Sequence, residues 1–338
     1  MTELVDRGPA DVRGDDFMAS AESFRPELLA HCYRMLGSVH DAEDLVQETF
    51  LRAWRSRDGF EGRSSLRTWL YRIATNVCLT ALENRSRRAL PSGLGGPSTC
   101  LQQPWPEPLP DNQWLQPFPD SLADSTTADP ASIVAARAGM RLALVAALQL
   151  LHPRQRAVLI LRDVLGWRAS EVAELLDVSV AAANSLLQRA RTRLEAVAPT
   201  LDEVTEPSDA EQRALLDRYA TAFEKLDIDA LMEVLNDDAV FEMPPHTRWF
   251  RGKEVCRRLL TGMLDRFVAE AIRTRMVPVR ANGQPGFAVY LSGPDGVFRP
   301  RGVLMLTLDG TGVSRVDAFR FEGFLELFGL PAELAAED

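Results

Sequence analysis

Apolar side chains recur at helical spacing through residues 41–54, which read DAEDLVQETFLRAW. The polar positions between them carry mostly acidic and amide side chains, so we predict an amphipathic helix with one core face and one acidic face. A second helix is predicted to begin after Ser64 or Ser65, either of which can cap it, and to carry Trp69 and Tyr71. It ends in a basic run at residues 85–88. The apolar face of the first helix holds Ala42, Leu45, Val46, Phe50, Ala53 and Trp54.

Helical periodicity also precedes and follows this stretch. Residues 17–36 predict a helix that Gly37 is placed to stop, and Ile133 through Leu151 predict a longer one. Pro153 then opens a further helix. Beyond it, Ser170 is expected to cap a short helix, residues 177–179 to form a tight turn, and residues 180–194 to form a second helix. This is the helix-turn-helix pattern, whose second helix lies in the DNA major groove.

The segment between these two helical regions differs in kind. Residues 91–130 hold nine prolines and five acidic residues but no Lys or Arg, so they predict an extended linker. The linker also holds Trp105, Trp114 and Phe118. Aromatic side chains are costly to leave in water, and we therefore expect this linker to dock into a groove.

The pattern changes again near Ser208. A helix, a helical turn beginning at Asp227 or Asp229, a strand at residues 239–243 and a helix from Lys253 are predicted first. Four alternating stretches separated by glycine turns follow, at residues 273–279, 287–291, 302–308 and 313–321. The fold class is therefore two all-α domains followed by an α+β domain, with a curved antiparallel sheet on helices.

Composition narrows the function classes. The formal net charge is −10, but residues 22–90 carry +2 and residues 131–199 carry +4, so the two predicted helical domains are locally basic. No apolar run is long enough to cross a membrane and the first residues lack the pattern of a signal peptide, so we expect a cytoplasmic protein with no membrane partner. The four cysteines are scattered, and we expect no metal site, no disulfide and no cofactor.

The first helical domain resembles regions 2.1 to 2.4 of bacterial extracytoplasmic-function (ECF) sigma factors, in DAEDLVQETFLRAW and in SSLRTWLYRIATNVC. The resemblance implies that the acidic helix binds the β′ clamp helices of core RNA polymerase through Asp41, Asp44, Gln47, Glu48 and Arg52. It also implies that the next helix contacts the promoter −10 element through Trp69, Tyr71, Arg72, Asn76, Arg85, Arg87 and Arg88. Stacking on an unpaired base would favour the melted strand, although either aromatic ring can instead be buried. Thr80 stands where the family has Asp.

The second helical domain resembles region 4 of the same family, which reads the −35 element and contacts the polymerase β flap. The resemblance implies DNA contacts from Ser170, Ser179, Ala181, Ala182, Asn184, Ser185, Gln188, Arg189 and Arg191. Asn184 and Leu186 replace a basic residue and an Arg of the family, so relatives do not supply the promoter sequence. Asp177 replaces the usual Gly of the turn. Asp adopts the left-handed conformation more readily than most residues, so we expect the turn to be kept.

Residues 211–321 resemble the SnoaL-like family of cone-shaped domains, and WLQPFPD resembles a linker motif of sigma factors with a C-terminal extension. Two functions remain open: an initiation factor without catalytic residues, modulated by its own C-terminal domain and by a small apolar ligand in it, and a DNA-tethered enzyme of the cyclase or isomerase type. For the enzyme, the candidates are Asp238, Glu242 and His246. The predicted domains are 1–16 (disordered), 17–90 (region 2), 91–130 (linker), 131–199 (region 4), 207–330 (SnoaL-like) and 331–338 (tail).

Overall fold

The computed structural model describes residues 17–60, 62, 64–83, 88–99, 107–110, 113–122, 140–197, 209–320 and 323–335. The predicted disordered segment at residues 1–16 therefore lies outside the described residues. The chain divides into two compact units. The helical unit comprises Met1–Ser86, Leu122–Gly139 and Leu148–Ala196, and the sheet unit comprises Arg87–Ser121, Met140–Ala147 and Val197–Asp338.

The helical unit begins with three helices whose ends follow from their capping residues. Gly37 ends the first with φ 72°, and Ser38 caps the second by accepting from the Asp41 amide at 3.2 Å. Ser65 caps the third, accepting from the Thr68 amide at 3.1 Å. The predicted helix over residues 17–36 is interrupted, because a new helix starts at Arg25 with Pro26 in its first turn. The three helices are α1 (Arg25–Leu36), α2 (Val39–Ser56) and α3 (Leu66–Leu82).

Four further helices lie within residues 140–197, the first of them mostly in the sheet unit, and the last two form the predicted helix-turn-helix. Asp177 occupies the turn with φ 51°, the left-handed conformation expected of it. Ser170 does not cap the short helix as predicted, since that helix begins one residue earlier and Glu171 accepts from the Arg168 amide at 2.7 Å. The helices are α4 (Leu142–Leu148), α5 (Pro153–Leu159, continued by a π turn at Ile160–Val164), α6 (Ala169–Leu175) and α7 (Val180–Val197). The part of the predicted 133–151 helix before residue 140 lies outside the described residues.

A buried arginine joins the two halves of the helical unit. Arg156 is 3% exposed, and its guanidinium donates to the carbonyls of Met35, Leu148, Gln149 and Leu151. It also donates to the side-chain oxygen of Gln149 at 2.7 Å. These carbonyls lie at or just beyond the C-terminal ends of α1 and α4, where the helix dipole favours a cation. The hydrogen bonds therefore offset the cost of burying this charge.

The sheet unit carries a six-stranded sheet in the order β2-β1-β6-β5-β4-β3, packed on helices. The predicted sheet was antiparallel throughout, but β1 pairs with β6 in parallel, and β2 was not predicted. Asp227, one of the two residues predicted to begin the short helix of this unit, is its N-cap. The elements are α8 (Asp209–Glu224), α9 (Ile228–Val234), β1 (Leu235–Glu242), β2 (Trp249–Arg251), α10 (Lys253–Ala269), β3 (Thr274–Ala281), β4 (Gln284–Ser292), β5 (Phe298–Asp309), β6 (Gly312–Phe319) and α11 (Phe324–Phe328).

The linker docks on this sheet, as its aromatic residues predicted. Trp114, Leu115 and Phe118 are at most 4% exposed, which removes their rings and side chains from water. Trp105 lies outside the described residues. Earlier in the linker, the Ser92 amide donates to the Glu242 carboxylate at 3.0 Å, and the Trp249 indole donates to the Gly95 carbonyl at 2.8 Å. Polar and apolar contacts thus hold the linker at several points.

The β3–β4 hairpin fixes the end of the linker. Its two-residue turn is Asn282-Gly283, with φ 55° and 69°, which suits Asn and Gly. The Asn282 side chain accepts from the Phe118 amide at 2.8 Å and donates to the Met140 carbonyl at 2.6 Å. Asp120 accepts from the Gly283 amide at 2.8 Å. One turn therefore binds both the linker and the start of the region 4 segment.

Candidate polymerase, promoter and ligand surfaces

Helix α2 presents the polar face that the sequence predicts. Its buried side holds Ala42, Val46, Phe50 and Ala53, each at most 5% exposed. Asp44, Gln47 and Arg52 are exposed on the other side, whereas Asp41 and Glu48 are half-buried. Glu48 accepts from Arg52 at 2.7 Å across one helical turn. All five residues assigned to polymerase binding are thus at least partly accessible.

An exposed leucine on the same face was missed by the sequence analysis. Leu51 is 51% exposed, one of the few large apolar residues in the described chain with that much exposure. It follows Asp44 by seven positions and Gln47 by four, so the three share one stripe of the helix. Leu51 falls outside the helical spacing of the apolar residues on the core face, and this departure is the sequence signal that could have identified it.

Helix α3 carries an aromatic cluster near its start. Trp69 is half-buried, and its ring lies 6.2 Å from that of Phe17 and 5.1 Å from that of Phe60. Asn76 is exposed on the same helix, two turns further on. Phe17 and Phe60 were not predicted as part of this surface, because both lie outside the helix that carries Trp69.

Two residues predicted to contact DNA are buried instead. Tyr71 is 1% exposed and its hydroxyl donates to Glu27 at 3.2 Å, so it takes the core alternative. Burial and the Glu27 carboxylate raise the pKa of Tyr71 well above its ordinary value. Arg88 is 8% exposed and donates to the Trp114 carbonyl at 3.0 Å, so its charge is used inside the sheet unit rather than on phosphate. Arg85 and Arg87 lie outside the described residues.

Within the helical unit, region 4 residues contact the predicted −10 helix. Arg72 forms an ion pair with Glu174 of α6. The Trp167 ring lies edge-on to Tyr71 with 6.2 Å between ring centroids. Arg72 is therefore engaged by an acidic residue in this conformation and is not free for phosphate.

The recognition helix α7 offers an uncharged face at its start. Ser179 caps it by accepting from the Ala182 amide at 3.1 Å. Exposed side chains follow at helical spacing, while Ala183, Leu187 and Ala190 pack inward. Ala182 is half-buried. The exposed predicted contacts are Ser170, Ser179, Ala181, Asn184, Ser185, Gln188, Arg189 and Arg191.

The two predicted arginines of α7 differ in their partners. Arg191 donates to both carboxylate oxygens of Asp163, at 2.9 and 2.7 Å, which raises the pKa of Arg191. Arg189 is exposed and has no carboxylate partner within ion-pair distance among the residues that the structure describes. The sequence predicts the same role for both arginines, because Asp163 lies 28 positions from Arg191 and no local pattern indicates their pairing.

In the sheet unit, the structure does not gather the three candidate catalytic residues. The Asp238 side chain is 75% exposed and pairs with Arg251 at 3.5 Å. Glu242 is fully buried and pairs with Arg315. Of the three, His246 alone lines the large cavity of this unit, whose volume is about 870 Å³. This arrangement assembles no acid–base pair around a common substrate position.

Comparisons with known proteins match this architecture. The families Sigma-70 region 2, Sigma-70, region 4 and SnoaL-like domain match residues 21–88, 141–194 and 216–323 respectively. The ECF RNA polymerase sigma factor SigG of Mycobacterium tuberculosis is 49% identical over 335 residues, which cover 99% of this chain and 89% of SigG. This chain belongs to the ECF sigma factors.

The sigma factor also resembles a second mycobacterial relative along most of its length. SigJ of Mycobacterium tuberculosis is 28% identical over 298 residues, covering 86% of this chain and 87% of SigJ. The crystal structure of SigJ superposes with a TM-score of 0.59 at 24% identity, covering 93% of this sigma factor and 99% of SigJ. The predicted order of two helical sigma domains and a SnoaL-like domain is thus confirmed.

The sequence predicts neither a membrane-spanning segment nor a metal site. In the described part of the sigma factor, no helix is both long and apolar enough to cross a membrane. The same residues contain no group of three or more His, Cys, Asp or Glu side chains arranged to hold a metal ion. Cys32, Cys78 and Cys256 are buried free thiols.

Proposed function

We propose that this sigma factor binds core RNA polymerase through the exposed stripe of α2 and promoter DNA through α3 and α7. We further propose that its C-terminal domain modulates initiation by holding the linker between regions 2 and 4. One observation carries the proposal: each of these helices has one side that packs in the core and one side that is accessible. The accessible side carries the residue types that its proposed partner requires. Binding the clamp helices of β′ and the β flap belongs to this proposal.

The polymerase surface combines charge with an apolar anchor. Asp44 and Gln47 supply polar groups for a basic partner, and Leu51 supplies apolar area whose exposure to water is relieved on binding. Apolar anchors within a polar rim concentrate binding energy in protein interfaces. Leu51 therefore belongs to the proposed contact, beside the residues that the sequence indicated.

The −10 surface is the Trp69 cluster together with Asn76. Because Trp69 is only half-buried, one part of its ring remains available to stack on an unpaired base. Such stacking contributes roughly 1 to 3 kcal/mol per base and is gained only in melted DNA. With Tyr71 in the core, Trp69 is the remaining ring of the predicted pair for this role. Arg72 becomes available for phosphate when its pair with Glu174 opens.

The polymerase interface is tested by Asp44→Arg and Leu51→Glu in the full-length protein. We expect each to weaken binding to core polymerase at least tenfold, about 1.4 kcal/mol. Asp44→Arg places a positive charge against a basic partner, and Leu51→Glu replaces an apolar anchor with a charge that must lose its water on binding. Val268→Glu is the matched control, since Val268 is also an exposed apolar residue, 65% exposed, but lies on α10. Core affinity is measured by fluorescence anisotropy at one salt concentration, with circular dichroism to confirm folding. Unchanged affinity in both α2 variants would place the interface elsewhere.

The C-terminal domain supplies a second part of the proposal. The linker residues Trp114 and Phe118 are buried in the sheet unit, and the same unit contains a large cavity lined mostly by apolar side chains. A small apolar ligand in that cavity would stabilise the domain that holds the linker. Modulation in cis, tuned by a small molecule, is accordingly the proposed role of this domain.

A further inference from the structure

The cavity of the sheet unit is large enough for a small molecule. It has a volume of about 870 Å³ and is lined by α10 and by strands β1, β4, β5 and β6. Small-molecule sites commonly occupy roughly 300 to 1,000 Å³ and have apolar walls with a few polar groups. The apolar lining includes Phe241, Leu260, Met263, Val289 and Leu304.

The charged groups around this cavity are all cationic. Arg258, Arg266, Arg301 and Arg320 line it, and its described lining contains no Asp or Glu. Arg266 is paired with Glu270 at 2.9 Å. The other three have no carboxylate within ion-pair distance among residues placed by the structure. Among the described residues, the positive charge of these three arginines is therefore not balanced by an ion pair.

Three of these arginines are close enough to influence one another. Partial burial, and then the positive charges of Arg320 and Arg266, lower the pKa of Arg301. Like charges at short range destabilise the folded protein unless a counter-ion is bound. A neutral apolar ligand would fill the cavity but leave this repulsion in place, whereas a ligand with an acidic head group would relieve it.

We propose that the cavity binds an amphipathic anion, an apolar chain or ring system with one carboxylate or phosphate group. The acidic group pairs with Arg301 and Arg320, whose planar guanidinium groups suit both oxyanions, and the apolar part lies along α10 and the sheet. The inference specifies the ligand class within the proposed function. It replaces the purely apolar ligand expected from the sequence.

The same ligand would touch the surface on which the linker rests. Pro244, Phe319 and Arg320 line the cavity and also line a small crevice with Trp114 and Leu115 of the linker. An anion that draws the Arg320 side chain to itself therefore acts on residues in contact with the docked segment. Occupancy of the cavity and docking of the linker are coupled through these shared residues.

The experiment is isothermal titration calorimetry on the full-length protein with three probes below their micellar concentrations. Dodecanoate and dodecyl phosphate carry the anion, and dodecanol is the neutral control of the same chain length. We expect at least one anionic probe to bind about tenfold or more tightly than dodecanol, as for hydrogen bonds to a charged group. Hydrogen exchange of residues 113–118 should change when that probe is bound.

Matched variants separate the site from general charge. Arg301→Gln should remove most of the preference for the anion. Arg299→Gln should retain it, because Arg299 lies two residues earlier on β5 but is paired with Asp295 and Glu333. Equal affinity for dodecanol and both anions, absence of binding by all three probes, or an equal loss in the two variants would each overturn the inference. None of these results bears on core binding by α2, which is measured separately.

Discussion

Two buried side chains, one in each unit, respond to pH in opposite directions. His31 is fully buried between helices, with its Nε2 atom 2.9 Å from the Thr75 hydroxyl, and burial lowers the pKa of His31 to about 3. Asp317 is 2% exposed beside Arg315 and Glu242, and burial raises the pKa of Asp317 to about 7. Each shift is a statement about stability, since the unfolded chain has ordinary values.

For the helical unit, acidification should be destabilising. Between the unfolded pKa of about 6.5 and the folded value of about 3, the unfolded chain binds a proton on His31 that the folded chain excludes. Stability therefore falls as pH decreases through this range, by up to about 1.4 kcal/mol per pH unit. His31→Gln should flatten that dependence. Urea unfolding from pH 4 to 7.5, with hydrogen exchange of α1 and α3 as the readout, measures it.

Asp317→Asn provides the internal control for this prediction. A carboxyl with a raised pKa contributes stability below the unfolded pKa of 3.8, which is lost as pH rises through about 7. The substitution should remove a slope of the opposite sign, and only in the sheet unit. If His31→Gln leaves the acid sensitivity of the helical unit intact, other groups must be responsible for it.

At the scale of elements, local sequence determined most helices and strands but not their long-range partners. Gly37, Ser65 and Asp227 end or cap helices as their residue types predict, because capping involves neighbours in the chain. The parallel β1–β6 pairing joins segments about 75 positions apart, and the Arg88–Trp114 bond likewise joins residues with no shared periodicity. Such contacts depend on tertiary packing and leave no local pattern.

The partners of the α7 arginines lead to a specific prediction for DNA binding. An exposed Arg that neutralises a phosphate contributes about 0.9 to the slope of log affinity against log salt concentration. We expect Arg189→Gln to weaken binding to duplex DNA and to reduce the magnitude of this slope by about 0.9. Arg191→Gln should have a smaller effect, because Arg191 must first give up its two hydrogen bonds to Asp163.

The two variants are each other's control, since they lie two residues apart on one helix. Anisotropy titrations of the full-length protein with labelled duplex between 50 and 200 mM salt give both slopes. Equal losses would mean that Asp163 does not compete with phosphate. A larger loss for Arg191 would contradict the assignment of Arg189 as the freer phosphate contact.

At the scale of the whole molecule, the sheet unit binds the segment that lies between the two sigma domains in the sequence. Extended, the 40 residues of the predicted linker would span roughly 130 Å. In the sheet unit, however, contacts at Ser92, Gly95 and Phe118 hold the described parts of the linker. Docked residues do not contribute to an extended span, and the proposed modulation of initiation acts through the strength of this docking.

Removing the C-terminal domain would alter more than regulation. A chain that ends near residue 200 loses the sheet on which Trp114, Leu115 and Phe118 are buried, which exposes apolar area to water. Asn282→Gly weakens the docking of the linker in the intact protein instead. Glycine keeps the left-handed turn, while the Phe118 amide and the Met140 carbonyl lose their side-chain partners. Leaving each group unpaired costs about 1 to 3 kcal/mol.

We expect Asn282→Gly to change promoter-dependent transcription by reconstituted polymerase in the same direction as truncation near residue 200. Hydrogen exchange at residues 113–120 should accelerate in parallel, because their docking contact has been weakened. Asn236→Ala is the control, since Asn236 bonds Asp309 at 2.7 Å in the same unit and has no hydrogen bond to the described part of the linker. If truncation alters initiation while Asn282→Gly does not, the domain acts through another surface. If neither change alters initiation, linker docking has no part in regulation, because weakening or removing the docking contacts would then leave transcription unchanged.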